Sequence, residues 1–164
     1  MNISLLPEKQ LTSMGISLPA APPNPIGCFA NVVIHNGLAW VSGQGPVHPD
    51  GSLERGKVGR DVTAEEAQKH ARLVGINILA ALRSSIGSLD RVEAVIKLLG
   101  LVNAMPDFER HPFVIDGCSK FMSEVFGKSG IHARSSFGVG SLPNNITVEI
   151  EAIFAIRDAS PGKD

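Results

Sequence analysis

Arg134, Glu149 and Glu151 lie in "HARSSFGVGSLPNNITVEIEAIFAI", residues 132–156, where simple burial would favour apolar side chains. A guanidinium at the head of a strand offers a planar fork that suits a carboxylate. Glu149, among apolar neighbours, is a half-buried carboxylate that needs a partner or a task. Each also has an ordinary reading: a surface arginine paired with an acid, and an ion pair that fixes an interface. His132 stands two residues before Arg134, so in an extended chain both point the same way. An unperturbed histidine titrates near neutrality, although a loop histidine without a role is the simpler reading of His132.

Other chemistries find little support. His35, His48, His70 and His111 share no metal-binding spacing. Cys28 and Cys118 form no CxxC pair, and two reduced thiols of a cytoplasmic protein are expected. Ser42, Ser135 and Ser136 lack a GxSxG context. "GQGPVHPDG" has neither the lysine nor the spacing of a phosphate loop and is expected as a mobile loop. A net charge of −1 without a basic block gives no electrostatic support for nucleic acid. No apolar run reaches the length of a membrane span, and the first residues lack the pattern of a signal peptide.

The elements that must position these residues follow from pattern. Hydrophobic residues make up 43% of the 164, enough for one domain with a real core. Residues 4–14 predict a short helix with Ser4 as cap and Gly15 as stop. "LPAAPPNP", 18–25, predicts an extended lead-in. A hairpin is expected over 29–35 and 38–42 with its turn at "HNG". Residues 43–60 read as a glycine-rich loop with a turn at "HPDGS". From Thr63, with Glu66 completing a capping box, Ala67, Ala71, Val74, Ile78 and Leu82 form the stripe of a helix that Gly87 ends. "RVEAVIKLLGLVN" reads as a strand covered on both faces. A second helix runs from Pro112 to Gly127, with Phe113, Cys118, Phe121, Met122 and Val125 inward. Closing strands are expected over 133–139 and 146–157. In the last, Val148, Ile150, Ala152, Phe154 and Ile156 share one face, and Glu149, Glu151, Ile153 and Ala155 the other. The order ββαβαββ predicts an α+β sandwich, a mixed sheet with two helices on one face. The second face of the last strand needs cover, which a second subunit would supply.

The motifs "NPIGCFANVVIHNG", "LAWVSGQGPVHPDG" and "HARSSFGVGSLPNNITVEIEAI" resemble the RidA family, also called YjgF or endoribonuclease L-PSP. The resemblance covers roughly residues 24–157, leaving 1–23 as an N-terminal extension and 158–164 as a flexible tail. The longer N-terminus and "HPFVIDGCSKFM" resemble one branch of the family rather than its best-known members. The resemblance implies a chorismate-mutase-like fold and a homotrimer with clefts between subunits. It implies hydrolysis of 2-imino or enamine acids to 2-keto acids and ammonia, with no cofactor and no metal. The family's carboxylate-binding arginine falls on Arg134 and its water-positioning glutamate on Glu149. Phe29, Ser136 and Gly43 fall on substrate-binding positions. Phe29 stands where the family often has tyrosine, Ser136 where cysteine is common, and the family's asparagine on the second helix has no clear equivalent. The alternatives are a trimer that binds a keto acid without turnover, and a ribonuclease, which the net charge disfavours.

Overall fold

The hairpin closes where the chain can turn most tightly. Asn36 and Gly37 both adopt positive φ, 50° and 73°, the conformation a two-residue hairpin turn requires. The computed structural model describes residues 5–20, 22, 25 and 27–158. Strand β1 (Val32–His35) pairs antiparallel with β2 (Leu38–Gln44), from Val32 opposite Val41 to His35 opposite Leu38. The first arm starts later than 29, although Ser42 still bonds to the Ala30 and Asn31 carbonyls. The second arm runs on to Gln44 through a register irregularity after Val41.

Helix α2 (Ala64–Ile86) carries the expected capping box, with Thr63 and Glu66 bonding each other's backbone N–H, and ends at Gly87 with φ 84°. The whole predicted stripe from Ala67 to Leu82 is buried. Strand β3 (Val92–Asn103) leads through a loop to α3 (His111–Phe126), then to β4 (Ala133–Val139) and β5 (Val148–Ile156). The sheet order is β1-β2-β5-β3-β4, with β3 and β4 parallel and the other neighbours antiparallel. This is the expected mixed sheet with two helices on one face. Among the described residues no helix is long and apolar enough to cross a membrane.

Several expectations change. Helix α1 is Pro7–Ser13, with Leu6 at the cap position and no side-chain cap; Ser4 lies outside the described residues. The chain turns at Gly15, φ 68°, as expected. The N-terminal segment is bound into the domain, because Leu11 and Leu18 join the main core. The Glu8 carboxylate accepts from the Leu89 N–H while Asp90 accepts from the Glu8 N–H. The loop expected to be mobile is tied down, since Asn77 Nδ2 donates to the Gly45 and Val47 carbonyls. Phe113 is only half-buried, beneath the Arg110 guanidinium at 4.2 Å, and Val114 and Ile115 take its place in the core. The expected tail beyond Asp158 falls outside the described residues.

Strand β3 is not covered on both faces within one chain. Val95, Leu98 and Val102 meet the helices, while Lys97, Leu99 and Leu101 lie on the open side. That open face carries Trp40, 47% exposed, opposite Ile153, and Phe137, 46% exposed, opposite Leu101.

The helix layer depends on close approach. A Cβ on Gly117 would overlap the Gln68 carbonyl oxygen of α2, and one on Gly75 would press on the Phe121 ring at 2.9 Å. Alanine normally stabilises a helix interior over glycine by about 1 kcal/mol. Gly117→Ala should do the reverse, because backbone cannot move aside, and should lose about 3 kcal/mol in urea unfolding. An unchanged or higher midpoint would show that the two helices are free to separate.

Candidate functional site

Arg134 sits on the edge strand β4, opposite Leu98 of β3. Leu98 is fully buried under the helices, so Arg134 also points to the helix side. There its Nη1 donates to Asp116 Oδ1 at 2.7 Å and to Ser119 Oγ at 3.0 Å, both on α3. His132 joins the same group, as the shared direction predicts: its Nε2 lies 3.0 Å from Ser119 Oγ, and its Nδ1 lies 2.6 Å from the Gly130 carbonyl. Arg134, Asp116, Ser119 and His132, with Lys120 and Ile131 among others, line a cavity of about 260 Å³. Burial, and secondarily the Arg134 charge, pushes the His132 pKa below its ordinary value. Nearby Cys118 is fully buried, and its thiol is pushed up to about 12, so it is inert.

Arg134 is thus paired with an acid, Asp116, in the unliganded protein. Ser136 follows two positions later on the same side, opposite Gly100. Gly100 has no side chain because Ile115 of α3 occupies that space.

Glu149 belongs to the other side of the sheet. It pairs with Leu101 on the open face, and its carboxylate makes no hydrogen bond or ion pair among the described residues. Burial raises its pKa above the ordinary value, and the Glu151 charge adds to this. Gly43 lies within the β2 irregularity between Val41 and Gln44. A Cβ there would overlap the Glu149 carboxylate, so the missing side chain is what lets that carboxylate lie across β2. Phe29, 54% exposed, precedes Ala30, whose carbonyl accepts from Ser42 Oγ; this places Phe29 at the Gly43 end of β2.

The five site candidates thus fall into two groups. Gly43 and Glu149 are in contact, with Phe29 near their strand end, while Arg134 and Ser136 occupy the far edge. With strands about 4.8 Å apart and residues about 3.3 Å apart, the Arg134 and Glu149 backbones are roughly 14 Å apart. Their side chains also leave opposite faces. No small carboxylate can touch both within one chain.

Sequence reasoning missed Asp116 and Ser119. A signal existed: two polar residues three apart, set among the buried Ile115, Gly117 and Cys118, mark a helix flank that must meet something polar.

Glu149 yields a pH test. Its folded-state pKa is raised, so its stabilising effect is complete while it is protonated, below the unfolded value of about 4.5. That effect is lost as pH rises through the folded value. Glu149→Gln should therefore be more stable than wild type at about pH 7 and indistinguishable at about pH 4 in urea unfolding. A Gln variant less stable at pH 7 would show that the carboxylate has a cationic partner.

Residues 8–155 match the family model described as "YjgF/chorismate_mutase-like, putative endoribonuclease". Protein TCP17 of Trypanosoma cruzi is 34% identical over 149 residues, covering 90% of this chain and 92% of its own. The crystal structure of Atu1372 from Agrobacterium tumefaciens, a protein of unknown function, is similar at 38% identity with a TM-score of 0.85 over 93% of both chains. E. coli TdcF with bound serine is similar at 26% identity with a TM-score of 0.60, over 85% of this chain and 94% of that one. The family pattern spans both groups of candidate residues and nearly the whole fold, and the chain belongs to the YjgF/RidA family.

Proposed function

We propose that the protein hydrolyses reactive 2-imino and enamine acids to 2-keto acids and ammonia. The site is assembled in a homotrimer from the Arg134–Ser136 edge of one copy and the Glu149–Gly43–Phe29 side of another. The observation that carries this reading is the division of Arg134 and Glu149 between opposite faces of one sheet, each accompanied by its own supporting residues. The exposed apolar face around Trp40 and Phe137 supports a second copy as its cover. The serine held by TdcF supports a ligand of amino-acid size.

The chemistry needs little activation. Arg134 holds the carboxylate and orients C2 of the imine. Glu149, whose proton affinity is raised by burial, takes a proton from a water that attacks C2. The C=N double bond opens to a tetrahedral carbinolamine. The proton taken by Glu149 passes to nitrogen to complete the carbinolamine. Glu149 then takes the carbinolamine hydroxyl proton as the C=O bond forms and delivers it to the departing nitrogen, which leaves as ammonia.

Phe29 favours a second reading, binding of a keto acid without turnover, because the chain contains no tyrosine to supply a hydroxyl there. Freshly generated 2-iminobutyrate separates the two. Hydrolysis should be accelerated by wild type and fall about 100-fold in Arg134→Lys, which keeps the charge but not the fork. The Asp116 pair is partly exposed, so the Lys variant should lose no more than about 1 kcal/mol of stability. Tight keto-acid binding without ammonia release would establish the binding protein instead. A mass near the single-chain 17.3 kDa in light scattering would remove the composite site altogether.

A further inference from the structure

The Arg134 guanidinium is gripped at one corner. Nη1 gives one hydrogen to Asp116 and the other to Ser119, while Nε and Nη2 make no hydrogen bond among the described residues. A guanidinium has five N–H donors, and its Nε–Nη2 edge presents two of them in parallel, the arrangement a carboxylate accepts bidentately. Asp116 does not occupy that edge. It takes a single hydrogen end-on, which is the geometry of a support and not of a stand-in for a bound acid.

The second support is directional. Ser119 Oγ accepts from Nη1, so its own hydrogen is available to His132 Nε2. His132 then carries its ring proton on Nδ1, which donates to the Gly130 carbonyl. The chain from Arg134 through Ser119 and His132 to Gly130 is thus consistent with a neutral imidazole in one tautomer. Burial of His132 favours that neutral form.

We propose that Asp116 and Ser119 are positioning residues: by taking both Nη1 hydrogens they fix the guanidinium so that its Nε–Nη2 edge is the one a substrate carboxylate meets. This rests on the reading of Arg134 as the carboxylate anchor. Affinity is then set partly by α3, although neither residue touches the ligand.

The test is calorimetric binding of 2-oxobutanoate and of its uncharged amide to the full-length wild type, Asp116→Ala, Asp116→Asn and Ser119→Ala. Melting temperature and mass are measured on the same samples. Asp116→Ala should weaken 2-oxobutanoate about tenfold, the order expected for a lost charged hydrogen bond, and leave the amide nearly unchanged. Asp116→Asn, which keeps an acceptor for Nη1, should recover part of that preference. Ser119→Ala should lower it in a fully folded protein, and decides the matter if Asp116→Ala does not fold. Asp116 variants that bind the acid as well as wild type, or more tightly, overturn the inference, tighter binding meaning that Asp116 competes with the ligand. Equal weakening of acid and amide overturns it too, leaving a purely structural role. A wild type that binds neither 2-keto acid nor amide and turns over no imine overturns the anchor reading itself.

Discussion

Two helices can cover only one side of a five-stranded sheet, and nearly every feature of this protein follows from that limit. Strand β5 shows it most directly. Val148, Ile150, Ala152, Phe154 and Ile156 disappear beneath α2 and α3, while Glu149, Glu151, Ile153 and Ala155 emerge on the uncovered side. The two helices approach each other closely at Gly75 and Gly117, so they form one dense layer over the sheet. The opposite face keeps both its aromatic surface and its carboxylates available to something outside the chain.

The same limit separates the chemical groups. Arg134 points into the flank of α3, where Asp116, Ser119 and His132 surround it with polar atoms. Glu149 points away from the helices, into a space that exists only because Gly43 carries no side chain. One group is a cation with firm supports, and the other is a carboxylate whose pKa is raised by poor solvation. Such opposite environments are hard to build side by side in one small core. Placing them on two faces of a sheet and uniting them in the proposed oligomer is an economical route to a site that needs both.

Local chemistry was legible wherever it depended on neighbours in sequence. The Thr63–Glu66 capping box, the Asn36–Gly37 turn and the stripe on α2 were all readable because each is set within a few residues. The two-faced character of β5 was readable from its alternation. The partner of Arg134 was not, because Asp116 lies on an element that packs against β4 only in three dimensions. Strand β3 misled for a related reason. Leu99 and Leu101 are as apolar as Leu98 and Val102, and residue type alone cannot say which cover comes from the same chain. The N-terminal segment looked like an extension because its anchors are distant in sequence: Glu8 meets Leu89, 81 positions away, and Leu11 joins the core.

The position of β5 has a consequence for folding. The fifth strand in sequence is the middle strand of the sheet, lying between β2 and β3, with Leu38 of the hairpin paired to Ala155. Until β5 is in place, the β1–β2 hairpin and the β3–β4 pair cannot be joined, and each leaves an unsatisfied strand edge facing solvent. The sheet therefore closes through contacts of long sequence separation that form slowly. Deletion of Val148–Ile156 removes the strand that makes the two halves one protein, and the product is a substrate for chaperones and proteases.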